Sequence, residues 1–234
     1  MGSTSPDAEP MRPSLQLDDT FFDRPSTELA VALLGKVIRH AVYFENRRYW
    51  LAARIIETEA YALTDRGSHA SLGYTPKRAA LFMQAGTIYM YYAHGGDSLN
   101  VSASGEGNAV LIKSAYPYFD AQSPTSNLRI MQANNPLRGA PRPVAKLCCG
   151  QTLLCRSLAL RVKEWDQQSF DPARFYFDDV GYAPAAWAQC RRLGIPEGRD
   201  EHLPWRFVDT TYARVCTRNP LTARQPDFTL HERP

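Results

Sequence analysis

Alternation of apolar and polar positions divides this chain into many short strands and a few helices. Residues 36–61, KVIRHAVYFENRRYWLAARIIETEAY, hold two such runs joined at Glu45-Asn46-Arg47, which predicts a hairpin. GTIYMYYAHGGDSLNVSAS, residues 86–104, predicts a second hairpin, with strands over 87–92 and 98–104 joined by Ala93-His94-Gly95-Gly96-Asp97. Its paired glycines supply the positive φ that a tight connection needs. Further strands are predicted for AVLIKSAYP (109–117), RFYFDD (174–179) and WRFVDTTYARVCT (205–217). Helical signals mark STELAVALLG (26–35), with Ser26 as N-cap and Gly35 as stop. They also mark the stretch from Thr75-Pro76 to about Met83 and AKLCCGQTLLCRSLAL (145–160), which carries an interior glycine. The Pro/Asn/Arg-rich segment 120–143 reads as a surface excursion around a short helix. Residues 1–16 have no apolar period and read as a disordered start, 17–218 as one domain, and 219–234 as a tail. Strands and helices do not alternate as βαβ units, so the expected fold is α+β around a curved, mostly antiparallel sheet.

One strand breaks its own pattern. In RIIETEAY (54–61) strict alternation places Ile55, Glu57, Glu59 and Tyr61 on one face and Ile56, Thr58 and Ala60 on the other. A face that turns acidic twice and then aromatic either runs from core into cleft or reaches water at a sheet edge. The two glutamates would lie about 7 Å apart along the strand. That separation also admits a two-carboxylate carbohydrate hydrolase. His69 could be a base, a ligand or an aromatic wall, or an ordinary loop residue. Tyr61, Tyr89, Tyr91 and Tyr92 could stack on a planar ligand or simply fill a sheet.

Composition narrows the field. With 234 residues, 44% hydrophobic and 22% charged, the chain suits one globular domain. Five cysteines, an odd number without framework spacing, suggest a reducing compartment. They offer no C-x-x-C pair and no histidine at ligand spacing, so no metal is expected. The absence of a signal peptide and of a membrane-length apolar run leads us to expect a cytoplasmic protein. Net charge +3 permits a polyanionic partner without demanding one. A basic cluster at Arg129, Arg138, Arg142 and Lys146 reads as a solvated loop.

Taken in order, the strings LLGK (33–36), RIIETEAY (54–61), SHAS (68–71), TPKRAALFMQAGTIYMYY (75–92), LNVS (99–102), VLIKSAYP (110–117), KLC (146–148), RRLGI (191–195) and LPWRF (203–207) carry a family likeness. Over roughly residues 27–218 the chain resembles the alkyladenine (3-methyladenine, or methylpurine) DNA glycosylases. The resemblance implies a curved sheet with flanking helices and a protruding, DNA-inserting hairpin. It implies a monofunctional enzyme without metal or organic cofactor, working on double-stranded DNA as a monomer and, in a bacterium, on the nucleoid. Such an enzyme flips out alkylated or deaminated purines and leaves an abasic site. By this resemblance Glu59 is the general base that activates the attacking water, while Glu57 only supports it. Lys113, where the family often has arginine, lies near that water and the DNA backbone, and the carbonyl of Leu193 helps to hold the water. Tyr61, His69 and Tyr91 wall the flipped base, Tyr89 shares their strand face, and Asn100 crowds the 2-amino group of normal guanine.

Three departures stand out. The hairpin tip lacks the bulky tyrosine that fills the gap left by the flipped base, and the connection is one residue shorter. His94, the large side chain between Tyr92 and Leu99, is the expected wedge, with Tyr92 next. Pro143-Val144-Ala145 stands where the family has Gly-Pro before KLC. Two other functions fit parts of the pattern: an inactive damage-binding protein on the same fold, and the carbohydrate hydrolase.

Overall fold

The computed structural model describes residues 15–93, 95–222 and 227–233. Its frame is a hairpin of β2 (Val37–Phe44) and β3 (Arg47–Tyr61), closed by the two-residue turn Glu45-Asn46. Both turn residues have positive φ, 49° and 60°, the twist that matches two right-handed strands. β3 is central. The first half of one edge pairs with β2 and the second half with β9 (Arg206–Asp209), while the other edge pairs with β6 (Ala109–Pro117).

From this frame the sheet runs β1 (Leu15–Gln16), β7 (Phe175–Asp179), β2, β3, β6, β5 (Gly96–Ser102), β4 (Ile88–Ala93). A branch continues from β9 to β8 (Ala186–Cys190) and β10 (Phe228–Glu232). All described pairs are antiparallel, and β1 and β4 stay apart, so the sheet is not a closed barrel. Among the described residues six short helices flank it: α1 (Asp19–Phe22), α2 (Ser26–Leu33), α3 (Leu128–Asn134), α4 (Val144–Leu147), α5 (Gln151–Ser157) and α6 (Val162–Trp165). The expected single α+β domain is what the chain forms. None of the described helices is long and apolar enough to cross a membrane.

Local chemistry moves several expected boundaries. Pro25, not Ser26, occupies the N-cap of α2, and Ser26 is buried in its first turn. The segment Pro76–Phe82 winds as a 3₁₀ helix, and Thr75 makes no capping bond. Gly150, at φ 111°, divides the expected 145–160 helix into α4 and α5, because only glycine holds that conformation without strain. The expected 205–217 strand ends at Asp209, whose side chain caps a 3₁₀ turn by accepting from the Thr211 amide at 2.9 Å. Leu15–Gln16 pairs with Asp178 and Asp179, and Phe228–Glu232 pairs with β8, so both of these segments add strands to the sheet. Neither segment has an apolar period, since an edge strand can be held by backbone bonds alone.

The main core lies between one sheet face and α2, where Leu29, Ala30 and Leu33 are fully buried. Two compensating bulges then decide which way β3 faces. Ile55 pairs with Ala115, Glu57 with Ser114 and Thr58 with Ile112, so β3 gains a residue at Ile56 and β6 gains one at Lys113. Before the bulge Ala53 and Ile55 join the core; after it Ala60 does, and the Thr58 hydroxyl donates to the Ala30 carbonyl at 2.9 Å. The phase has switched from odd to even residues. Ile55 therefore does not share a face with the glutamates, contrary to strict alternation: Glu57, Glu59, Lys113 and Ser114 are turned away from the core. Bulges of this kind re-aim side chains beside active sites.

Candidate active site

Beyond the bulge, one cavity of about 620 Å³ opens beside β3, β4, β5 and β6. Tyr61, His69, Tyr89, Tyr91, Asn100, Lys113 and Leu193 all line it. Its size is ordinary for a small-ligand site. Glu59 lies just behind this lining, fully buried. Its Oε2 accepts from the Tyr61 hydroxyl at 2.8 Å, its Oε1 accepts from the Leu193 amide at 3.0 Å, and Lys113 Nζ stands 3.4 Å from Oε1. Leu193 thus reaches the carboxylate through its N–H, a contact that the expected role of its carbonyl does not include.

Glu57 is equally buried but enclosed. Arg206 Nε donates to its Oε1 at 2.7 Å, while Ser114 Oγ and the Thr217 amide donate to Oε2. The guanidinium goes on to the Arg218 carbonyl and the thiols of Cys190 and Cys216. Both oxygens of Glu57 are held by donors, which suits a structural ion pair.

The aromatic residues divide into walls. His69 and Tyr91 meet edge to face, 4.6 Å between centroids, too close for a planar base to enter between them. They form one wall with Tyr89, whose hydroxyl lies 2.9 Å from His69 Nδ1. Burial, with help from Arg78 and Arg199, lowers the His69 pKa and so favours the neutral ring. Burial also raises the pKa of Tyr61, Tyr89 and Tyr91, with Glu59 adding to the effect at Tyr61, and keeps all three phenols uncharged. Asn100 is buried and its Nδ2 donates to the Tyr89 carbonyl at 3.1 Å, which fixes the amide at the cavity edge.

The hairpin beside the cavity closes more tightly than expected. β4 reaches Ala93 and β5 begins at Gly96, whose Cα atoms pair, leaving a connection of two residues. His94, the expected wedge, lies outside the described residues. Of the two glycines, Gly95 has a positive φ and Gly96 does not. Gly96 is needed for a different reason, because a Cβ there would come within 2.8 Å of the Thr152 side chain. Arg156 Nη2 donates to the Gly95 carbonyl at 2.6 Å, and Gln151 Nε2 to Ser98 Oγ at 2.9 Å, so α5 braces the hairpin. Tyr92 projects from its end, 70% exposed.

Sequence reasoning missed Arg206, Ser98, Gln151 and the pair Asp65–Arg192. The last two arginines lie inside the motifs LPWRF and RRLGI, yet their acidic partners are 149 and 127 residues away. Of the basic cluster, Arg142 is consumed by the carbonyls of Asn135 and Pro136, and Arg129 by Glu45. Among the described residues no group of three or more His, Cys, Asp or Glu could hold a metal ion.

Comparison with known proteins identifies the family. Residues 20–213 match the family model described as Methylpurine-DNA glycosylase (MPG). A Pseudomonas aeruginosa protein named "Putative 3-methyladenine DNA glycosylase" is 59% identical over 221 residues, covering 94% of this chain and 88% of the relative. A Pseudomonas savastanoi protein of the same name is 61% identical over 210 residues, 89% of this chain and 92% of its own length. The mouse protein named "DNA-3-methyladenine glycosylase" is 33% identical over 210 residues, 82% of this chain and 58% of the mouse protein. With a family match across most of the chain and relatives near 60% identity, the chain belongs to the methylpurine-DNA glycosylases, a family of DNA-repair enzymes.

Proposed function

We propose that this protein excises alkylated and deaminated purines from duplex DNA by hydrolysis, with Glu59 as the general base. The observation that carries the reading is Glu59 itself, a buried carboxylate with donors on both oxygens at the back of an aromatic-walled cavity. A base inside the duplex hides its glycosidic bond, so the nucleotide is extruded into this cavity. The base then lies between Tyr61 on one side and the His69–Tyr91 wall on the other. Those rings are neutral and electron-rich, which suits a purine made cationic by alkylation at N3 or N7. The same positive charge weakens the bond to C1′. Water attacks C1′, the C1′–N bond breaks, the purine leaves with the bonding pair, and Glu59 takes the proton from water; an alkylated cation departs as a neutral base, whereas hypoxanthine departs as an anion that takes a proton from solvent. Lys113 sits where it can steady the carboxylate and a nearby phosphate. Water, not an amine, is the nucleophile, so the product is an abasic site with an intact backbone.

Selectivity follows from the position of Asn100, which would clash with the 2-amino group of guanine. At the hairpin, Tyr92 is the described side chain that is large and exposed enough to enter the gap in the stack. His94 remains the alternative wedge. The enzyme acts as a monomer and without a metal. The carbohydrate-hydrolase reading requires Glu57 as a second working carboxylate, and its pairing with Arg206 argues against that. Single-turnover release from duplex oligonucleotides carrying 3-methyladenine, 7-methylguanine or hypoxanthine tests the proposal, with and without chelator. Excision of at least one, insensitive to chelator, is expected. Binding without release would favour a damage-binding protein instead.

A further inference from the structure

Next to Tyr61, outside the cavity lining, lies an ion pair that the mechanism above does not use. The side chains of Arg192 and Asp65 are fully buried, and both Nη atoms of the guanidinium bond both carboxylate oxygens. The same guanidinium donates to the carbonyls of Ala60 at 3.2 Å and Asp200 at 3.3 Å. Its central carbon lies 4.7 Å from the centroid of the Tyr61 ring and 5.5 Å from that of Trp205. Asp65 also accepts from the Gly67 amide at 2.8 Å.

We propose that Arg192 and Asp65 form a positioning pair for Glu59, acting through Tyr61 and Leu193. This rests on the reading of Glu59 as the base. Of the three groups that hold Glu59, one lies under the guanidinium and another belongs to the residue after Arg192. The guanidinium also grips β3 at Ala60, between Glu59 and Tyr61. Both partners sit on irregular segments, 62–69 and 191–205, which carry His69 and Leu193 and have no strand of their own to place them. Arg192 ties these two segments to each other and to the end of β3. A fork of fixed geometry can reach these acceptors and still face a ring; an ammonium cannot. A buried ion pair is by itself weak evidence for stability, since its desolvation cost offsets most of its attraction. The convergence of its remaining bonds on the holders of Glu59 is what points to placement.

The test uses the full chain carrying Arg192→Lys, or Arg192→Met together with Asp65→Asn, which removes both charges and leaves the Gly67 amide an acceptor. Thermal unfolding establishes that each variant folds. Single-turnover excision of 3-methyladenine and affinity for DNA containing a tetrahydrofuran abasic analogue are then measured. Misplacing a reacting group by about 1 Å costs on the order of 10²-fold, and a rate loss of that order is expected with affinity unchanged. Combined with Tyr61→Phe, the Arg192→Lys loss should be less than multiplicative, because both act on the same hydrogen bond. Wild-type rates in a folded variant would overturn the proposal, as would independent losses or a loss explained by weaker DNA binding. If the paired variant does not fold, Arg192→Lys, which keeps the charge, decides alone. Glu59→Gln serves as the control: if it excises normally, the reading of Glu59 fails. If it is silent while Arg192→Lys matches wild type, only the positioning role fails.

Discussion

Glu57 and Glu59 stand two residues apart on one strand, and each is fully buried, yet their surroundings differ in kind. Glu57 meets a guanidinium at 2.7 Å, a hydroxyl and a backbone amide, with the C-terminal loop closing over it. Glu59 meets a phenol at 2.8 Å, an amide at 3.0 Å and an ammonium no closer than 3.4 Å, and all three of these partners line a cavity. Burial alone therefore does not separate a structural carboxylate from a working one. What separates them is how many partners can be approached from outside: one of the three that hold Glu57, Thr217, borders the cavity, against all three that hold Glu59. An arginine fork held also by the Arg218 carbonyl and two buried thiols is fixed in place, whereas a tyrosine and a lysine at a cavity wall can turn toward a ligand.

The sharpest way to break this comparison is exchange of each glutamate for its amide. Glu59→Gln should keep the fold and DNA binding while excision falls about 10²–10⁴-fold, the scale of a lost general base. Single-turnover kinetics read this directly, and normal turnover would remove Glu59 from its role. Glu57→Gln should instead act on stability. It leaves Arg206 buried without its counter-charge, for which a loss of about 3–5 kcal/mol in denaturant unfolding is expected. Excision by the folded fraction should fall much less than in Glu59→Gln.

Acid adds a test of the fold itself. The His40 ring donates from Nδ1 to the Leu158 carbonyl and accepts the Trp165 indole N–H at Nε2, so only its neutral form fits. Burial lowers its pKa from 6.5 to about 4. The unfolded chain binds this proton below pH 6.5 while the folded chain resists until about 4. Stability should therefore decline as pH falls across that window, by about 3 kcal/mol in all. Unfolding measured beside excision over the same pH series will show which loss comes first. His40→Gln, which has no such titration, should flatten the stability curve.

The smallest effect is expected at the cavity edge. Asn100→Gly should raise excision of normal guanine roughly tenfold, as removal of a steric block typically does, with little change for 3-methyladenine. An unchanged guanine background would show that the amide fixed by the Tyr89 carbonyl is not the gate.

Much of this site is legible in one dimension. The alternating runs establish both hairpins, the ETEAY string places the acidic pair on a strand, and the spacing of Tyr89 and Tyr91 puts two rings on one face. These follow from local sterics and period, which neighbouring residues dictate. Tertiary structure decided the rest. The bulges at Ile56 and Lys113 depend on how β3 and β6 are paired, and they alone turn the glutamates away from the core face that Ile55 occupies. Arg206 and Arg192 look like any surface arginine in sequence, because their carboxylates arrive from distant segments only after the chain has folded. Gly150 and Gly96 differ in the same way: the first is required by its own backbone angle, the second by the Thr152 side chain packed against it. Local conformation is written in adjacent residues, whereas the partners that make one glutamate structural and leave the other at a cavity are fixed by long-range packing.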